Sequence, residues 1–362
     1  MTDTPKDLTD HLKARILANG PLTIADYMSE CLLHPTLGYY TTRDPLGASG
    51  DFTTAPEISQ MFGELIGLCL AQTWLDHGAP APFALTELGP GRGTLMADIL
   101  RATASVPGFH AAARIHLIEA SDTLRTAQAE ALDGHKIDWH YQLSTLPEIP
   151  LLLVANEFFD ALPIRQFLRD EGNAWRERRV GLVDGKLAFG AGDPAEVPAL
   201  SGRLAETKQG QLIEICAAAE AIASEIGAHI SDHGGAALII DYGDWASYGD
   251  TFQAVKSHKK TSPLTTPGQA DLTAHVDFAA LANAVQGAAS CAATAMIPQG
   301  VFLERLGITH RAQQLAQALS GAALENHIAA HRRLTHPDEM GNLFKILALY
   351  DGRFSPPPGL QT

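Results

Sequence analysis

Three glycines at alternate positions, in Glu87-Leu88-Gly89-Pro90-Gly91-Arg92-Gly93-Thr94, stand between an apolar run and a helical one. Without Cβ atoms a turn can tighten and let a ligand touch backbone, and the helix that follows offers unpaired N–H groups. Glu119 closes the next apolar run, Ile115-His116-Leu117-Ile118, where a carboxylate can accept both hydroxyls of a ribose. The glycine spacing is G-x-G-x-G, not the G-x-G-x-x-G of dinucleotide folds, whose last glycine allows close helix packing. No G-K-[ST] follows, which excludes a P-loop.

A second constellation is Asn156-Glu157-Phe158-Phe159-Asp160-Ala161-Leu162-Pro163. An amide, two carboxylates and two rings side by side suit a nitrogen nucleophile. Carboxylates can hold a guanidinium bidentately and favour attack by its lone pair. Catalysis of that kind is mostly alignment and electrostatics, with a base needed only to drain a proton. The competing role for Glu157 and Asp160 is helix capping, strongest for Asp160, and one of Phe158 and Phe159 is expected in the core. Thr54 and Glu57 have the spacing of a capping box, with Pro56 tolerated in the first turn, and predict a helix starting there. Residues 39–56, aromatic and glycine-rich, suggest a loop that acts as a lid.

Among the histidines, His275 lies between Asp271 and Asp277 and is the candidate for an active-site or structural role. His327 and His331 are four apart but lack the intervening acid of H-E-x-x-H, so no metal is expected.

The elements that must position these groups alternate. Residues 7–78 read as helical with a long loop. Phe83–Leu88, Ile115–Ile118, a weak segment at 137–141, Leu151–Ala155 and Ala236–Ile240 read as strands separated by helices near 94–104 and 121–132. Unbroken apolar strands between helices require a mostly parallel sheet covered on both faces, an α/β fold. Residues 164–205, with an Asp184-Gly185 hairpin turn, read as a β-rich insertion, followed by a crossover helix at 209–227. Helices near 277–286, 310–319 and 322–333 and a strand at 343–349 complete the chain. The division expected is an N-terminal helical region, 1–78, and a catalytic domain, 79–362, with helical additions over 250–335.

With 362 residues the chain is long enough for a large core, and 46% hydrophobic with 19% charged residues is ordinary globular usage. A net charge of -15 and the lack of any basic run argue against a nucleic acid partner and favour basic proteins or peptides. Cys31, Cys69, Cys216 and Cys291 are far apart and read as small buried hydrophobes. No apolar run is long enough for a membrane span, and the polar, acidic first residues suggest neither signal nor transit peptide, so a cytoplasmic location is expected.

The G-x-G-x-G turn after an acid-ended strand resembles motif I of class I methyltransferases that use S-adenosyl-L-methionine, a Rossmann-like fold. More specifically, the blocks Gly50-Asp51-Phe52-Thr53-Thr54-Ala55-Pro56-Glu57, Glu87 to Gly93, Asn156 to Pro163, Ile240-Asp241-Tyr242-Gly243, Asp271 to Phe278 and Met340-Gly341-Asn342-Leu343-Phe344-Lys345 resemble the MidA/NDUFAF7 family. The resemblance runs from near residue 12 to about 350. It implies an arginine methyltransferase acting in complex I assembly, forming symmetric dimethylarginine on the core subunit of NADH:ubiquinone oxidoreductase that carries part of the quinone site. By that resemblance Gly89, Gly91 and Gly93 shape the cofactor turn, Glu87 takes the methionine end, Glu119 holds ribose, and the N-terminal loop, with Thr54 and Glu57 as further cofactor-binding candidates, closes over the donor. Two alternatives stay open: an S-adenosyl-L-methionine-binding assembly chaperone, and transfer to a different nitrogen acceptor.

Overall fold

Four of the apolar runs form the centre of one sheet in the computed structural model, which describes residues 7–42, 53–246 and 248–361. Strands β1 (Phe83–Leu88), β2 (Ala113–Ile118), β3 (Ile137–His140), β4 (Leu151–Asn156) and β5 (Gly235–Asp244) run parallel. β6 (Phe344–Asp351) returns antiparallel to β5. The order is β3-β2-β1-β4-β5-β6, with Cys291–Ala293 added beyond β6. Every residue of β1 and β4 is buried, which is why both read as unbroken apolar runs rather than alternating ones. Strand order reverses direction between β1 and β4, and in open α/β sheets that switch point opens a crevice at the carboxyl ends of the strands. Both chemistry-bearing motifs follow those two strands.

Helices α1 (Gln60–Asp76), α2 (Thr94–Thr103) and α3 (Asp122–Ala131) belong with this sheet. Phe62, Ile66, Leu70, Met96 and Ile99 are buried in one core with Leu85, Leu117, Val154 and Ile240. α4 (Ala217–His233) precedes β5. The helices expected late in the chain are Phe278–Ala284, Ile308–Ala316 and Gly321–Thr335.

Contact density divides the chain into two units. One comprises Met1–Phe52, Ala161–Ala219 and Ala246–His275, the other Thr53–Asp160, Glu220–Trp245 and Val276–Thr362. In the first, helices Leu8–Asn19 and Ile24–Leu33 share a core of Leu12, Ile16, Tyr27, Met28 and Val180. Its antiparallel sheet runs Leu22–Thr23, Trp175–Val183, Arg165–Arg169, Leu212–Ile215, with Lys186–Ala195 paired to Trp175–Val183. Asp184 and Gly185 turn that hairpin with φ of 49° and 70°.

Several expectations are corrected here. Division is not linear at residue 78: the first two helices cluster with the insertion, whereas α1 buries its apolar side with the parallel sheet. The insertion extends past 205, because Leu212–Ile215 pairs with Arg165–Leu168 and buries Ile213 beside Phe167 and Trp175. The crossover helix therefore starts at Ala217 rather than 209. Gln253–Lys256, Lys259–Thr261 and Asp271–Thr273 are short strands where helical additions were expected. Cys31 and Cys69 are buried, their thiols pushed up to about 12 by burial, while Cys216 and Cys291 are half-buried. Among the described residues no helix is long and apolar enough to cross a membrane.

Candidate active site

The glycine turn begins where β1 ends. Gly89, Gly91 and Gly93 have φ of 61°, 53° and 84°, values that L side chains rarely adopt. Gly89 N–H donates to Ile118 C=O at 3.0 Å and Gly93 N–H to Pro90 C=O at 2.7 Å, and α2 starts directly afterwards. A Cβ on Gly89 would stand 2.8 Å from Cδ2 of Phe158, so the turn and the segment after β4 meet at this point.

Glu119, at the end of β2, is buried, and its Oε1 accepts from Ser121 N–H at 2.8 Å. Burial raises its carboxyl above the usual range against the pull of those donors. Gln128 on α3 donates through Nε2 to Glu119 Oε2 at 3.2 Å and to Gly91 C=O at 2.8 Å, while its Oε1 accepts from Trp139 Nε1–H at 2.9 Å. This fully buried amide ties the glycine turn to the proposed ribose acid, and it was not among the residues expected. The available signal was a polar side chain four residues after Leu124 on the apolar side of α3.

Glu87 lies within β1, and burial pushes its carboxyl up to about 8. The Met96 N–H opposes that shift and Glu119 adds to it. Glu87 Oε2 and, at the end of β4, Asn156 Oδ1 are buried acceptors with no hydrogen-bond partner among the described residues. Buried acceptors left unmatched are costly. Two of them at the ends of adjacent strands beside the glycine turn fit a ligand that brings N–H donors and positive charge.

The capping box expected at Thr54 is not formed. The Thr54 side chain makes no cap bond, residues Ala55–Ile58 form one turn, and α1 starts afresh with Ser59 Oγ accepting from Met61 N–H at 3.2 Å. Glu57 turns to the glycine motif instead: its Oε1 accepts from Thr94 Oγ1–H at 2.8 Å and its Oε2 faces Arg92 at 3.9 Å. Ala55 N–H donates to Glu157 Oε1 at 3.0 Å, so residues 54–57 touch both loops. Most of the expected lid, residues 43–52, lies outside the described residues, including the Gly50-Asp51-Phe52 block.

After β4 the chain kinks. Glu157 has φ of 53°, a left-handed conformation uncommon outside glycine, while its N–H still donates to Ile240 C=O at 3.0 Å. Asn156 Nδ2 lies 3.2 Å from Glu157 Oε1. Asp241, fully buried on β5, accepts three successive backbone N–H groups on one oxygen: Phe158 at 3.2 Å, Phe159 at 2.9 Å and Asp160 at 3.2 Å. Burial, with Asp160 and then Glu157 as like charges, drives the Asp241 carboxyl well above its usual range, although backbone N–H groups act against it. Asp160 is buried, and among the described residues no helix follows it to be capped; the next element is the Arg165–Arg169 strand. Phe159 enters the core and Phe158 faces Gly89.

Thus Thr54, Glu57, Glu87, Gly89, Gly91, Gly93, Glu119, Asn156, Glu157 and Asp160 all belong to the unit that holds the parallel sheet. His275 belongs to the other unit, where its N–H donates to Thr251 Oγ1 at 2.9 Å. His327 and His331 bond to Ala312 C=O and Thr309 Oγ1, structural links between two helices.

Comparison with known proteins converges on this chemistry. Residues 65–297 match the family described as "Putative S-adenosyl-L-methionine-dependent methyltransferase". A Danio rerio protein named protein arginine methyltransferase NDUFAF7, mitochondrial, is 37% identical over 95% of this chain and 87% of its own. The Homo sapiens protein of that name is 36% identical over 94% of this chain and 82% of its own. A solved Burkholderia thailandensis protein bound to S-adenosyl-homocysteine superposes with a TM-score of 0.83 and 28% identity, covering 98% of this chain and 94% of that one. On the strength of that family model and those relatives, this chain belongs to the same family of methyltransferases, and its cofactor is S-adenosyl-L-methionine.

Proposed function

We propose that the chain methylates arginine side chains of a protein, with symmetric dimethylarginine as product and the quinone-site core subunit of NADH:ubiquinone oxidoreductase, or a related protein, as acceptor. The observation that carries the arginine reading is the grouping of Glu157, Asp160 and Asp241 around the segment that Phe158 brings to Gly89. The names of the relatives support it, and the choice of subunit rests on the family resemblance.

When bound, the cofactor supplies an electrophilic methyl group on a positively charged sulfonium. Gly89, Gly91 and Gly93 would lie against it through backbone, Glu119 would accept its ribose hydroxyls, and Glu87 with Asn156 Oδ1 would receive the ammonium of its methionine end. The orphaned buried acceptors fit that ammonium. Glu157 and Asp160 would hold the guanidinium so that one nitrogen lone pair points at the methyl carbon. One of these carboxylates would take the proton that the nitrogen gives up on receiving the methyl group. The raised proton affinity of Asp241 suits that last step, because a carboxylate destabilised by its neighbours is a better proton acceptor.

The test is transfer of labelled methyl from S-adenosyl-L-methionine to the purified subunit by the wild type and by Glu157→Ala, with complex assembly scored beside it. Label on arginine that the substitution abolishes, together with failed assembly, supports the proposal. No incorporation by protein that binds the donor removes this acceptor. Assembly that survives Glu157→Ala assigns the cellular role to binding, and label on another nitrogen moves the acceptor.

A further inference from the structure

The methyl-transfer chemistry uses nothing from the two helices at the start of the chain, yet ligand-type side chains converge there. His11 on the Leu8–Asn19 helix, with Glu30 and His34 on and just after the Ile24–Leu33 helix, bring one donor atom each within 4.8 Å of one another. His11 Nε2 stands 3.1 Å from Glu30 Oε2, and the two imidazole rings lie edge to face with centroids 4.8 Å apart. We propose that His11, Glu30 and His34 bind one divalent ion of the zinc class, with water completing the shell.

Two imidazoles and one carboxylate form a donor set that suits such an ion. Ligands about 2.0–2.2 Å from a tetrahedral centre lie roughly 3.3–3.5 Å from one another. The His11–Glu30 separation is already close to this, and the His34 donor lies within 4.8 Å of both.

Supporting contacts orient the ligands in the way metal sites require. Glu30 Oε1 accepts from Arg15 NH1 at 2.6 Å, which leaves Oε2 turned to His11. Arg15 NH2 lies 3.4 Å from Asp26, itself bonded to the Thr23 hydroxyl at 2.7 Å. The helices are fixed by buried Leu12, Ile16, Met28 and Leu32. His34 N–H donates to Glu30 C=O at 3.2 Å, which sets the two ligands at helical spacing. Coordination would exchange one weak bond, the 3.3 Å contact from Thr36 N–H to His34 Nδ1. The ion would pin the two helices together.

Full-length, tag-free protein stripped with a chelator and titrated with zinc ions against a chromophoric chelator tests this. One ion per chain, a rise in Tm with zinc, and a tetrahedral spectrum with cobalt(II) are expected. His11→Gln and His34→Gln should each weaken binding about tenfold or more, with unchanged circular dichroism and unchanged affinity for S-adenosyl-homocysteine. Absence of binding at micromolar zinc overturns the proposal. So does equal binding by the double variant, which would place the ion on other histidines.

Discussion

The Phe158 ring occupies the space that a side chain on Gly89 would need, with Cδ2 2.8 Å from the ideal Cβ position. This contact joins the two motifs proposed for the chemistry, because it seats the acid-rich segment after β4 against the glycine turn. Gly89→Ala therefore meets two obstacles. The φ of 61° costs about 1–2 kcal/mol for an L residue, and the ring must move. The expected outcome is a loss of affinity for S-adenosyl-homocysteine of about tenfold or more, read by calorimetry. Adding Phe158→Ala should recover part of the binding by removing the clash, though not the part due to φ. No recovery at all would show that the ring contact is incidental.

Asp241 organises the acceptor side, since one oxygen takes three successive N–H groups. Asp241→Asn keeps shape but turns an NH2 toward either the three N–H groups or the Tyr242 N–H, and a buried polar group left unmatched costs about 1–3 kcal/mol. Loosening residues 158–160 should lower kcat by about 100-fold, with affinity for S-adenosyl-homocysteine changed less than about threefold. Equal losses in both would mean that Asp241 supports the whole crevice rather than the acceptor loop.

The sheet was legible because β1, β2, β4 and β5 are buried enough to read as apolar runs, each ended by a glycine or polar residue. Local chemistry also singled out Gly89–Gly93, Glu119 and Asn156–Asp160, which the structure places in one unit. Thr54 misled, because capping-box spacing is satisfied by sequence alone, whereas Thr94, 37 residues from Glu57, takes the Glu57 carboxylate. The Leu212–Ile215 strand misled for a related reason: its partner, Arg165–Leu168, lies far back in the chain. Gln128 could not be assigned, since its meaning depends on Gly91, Glu119 and Trp139 meeting in space.

Gln128 gives a prediction for the donor side. Gln128→Leu preserves approximate volume but strips Gly91 C=O, Glu119 and the Trp139 indole of one partner each. Leaving buried polar groups unmatched costs about 1–3 kcal/mol, so Tm should fall and KM for S-adenosyl-L-methionine rise about tenfold. Saturating donor should restore kcat. A fall in kcat that saturation does not correct would show that Gln128 acts on methyl transfer itself.

Glu87 sets a pH dependence. Its carboxyl, pushed up to about 8 by burial, holds a proton in the folded, ligand-free protein at neutral pH. Sign follows directly: the folded state binds the proton more tightly than the unfolded one, so the stabilisation from this site is complete below the ordinary carboxylate range. It is lost as pH rises towards about 8. Binding of a ligand ammonium requires the anion, so affinity should rise over the same interval and a proton should be released. Calorimetry in buffers of different ionisation enthalpy measures that proton. Glu87→Gln should abolish its release and flatten the alkaline decline in Tm. Proton release unchanged in this variant would assign it to another group.

Glu157 separates strain from chemistry. At φ of 53° a glycine avoids the steric penalty that alanine keeps, so Glu157→Gly should melt higher than Glu157→Ala, by about 1 kcal/mol of stability. Neither variant should transfer methyl, because both lack the carboxylate. Glu157→Gln retains an oxygen for the Ala55 N–H, which lies 3.0 Å from Oε1 in the wild type, and so preserves the loop while removing charge. Its transfer rate to an arginine peptide should drop about 100-fold, with donor binding intact. Near-normal transfer by Glu157→Gln would eliminate the carboxylate as the group that holds or deprotonates the guanidinium, leaving it a part in the loop through Ala55 N–H and Asn156 Nδ2.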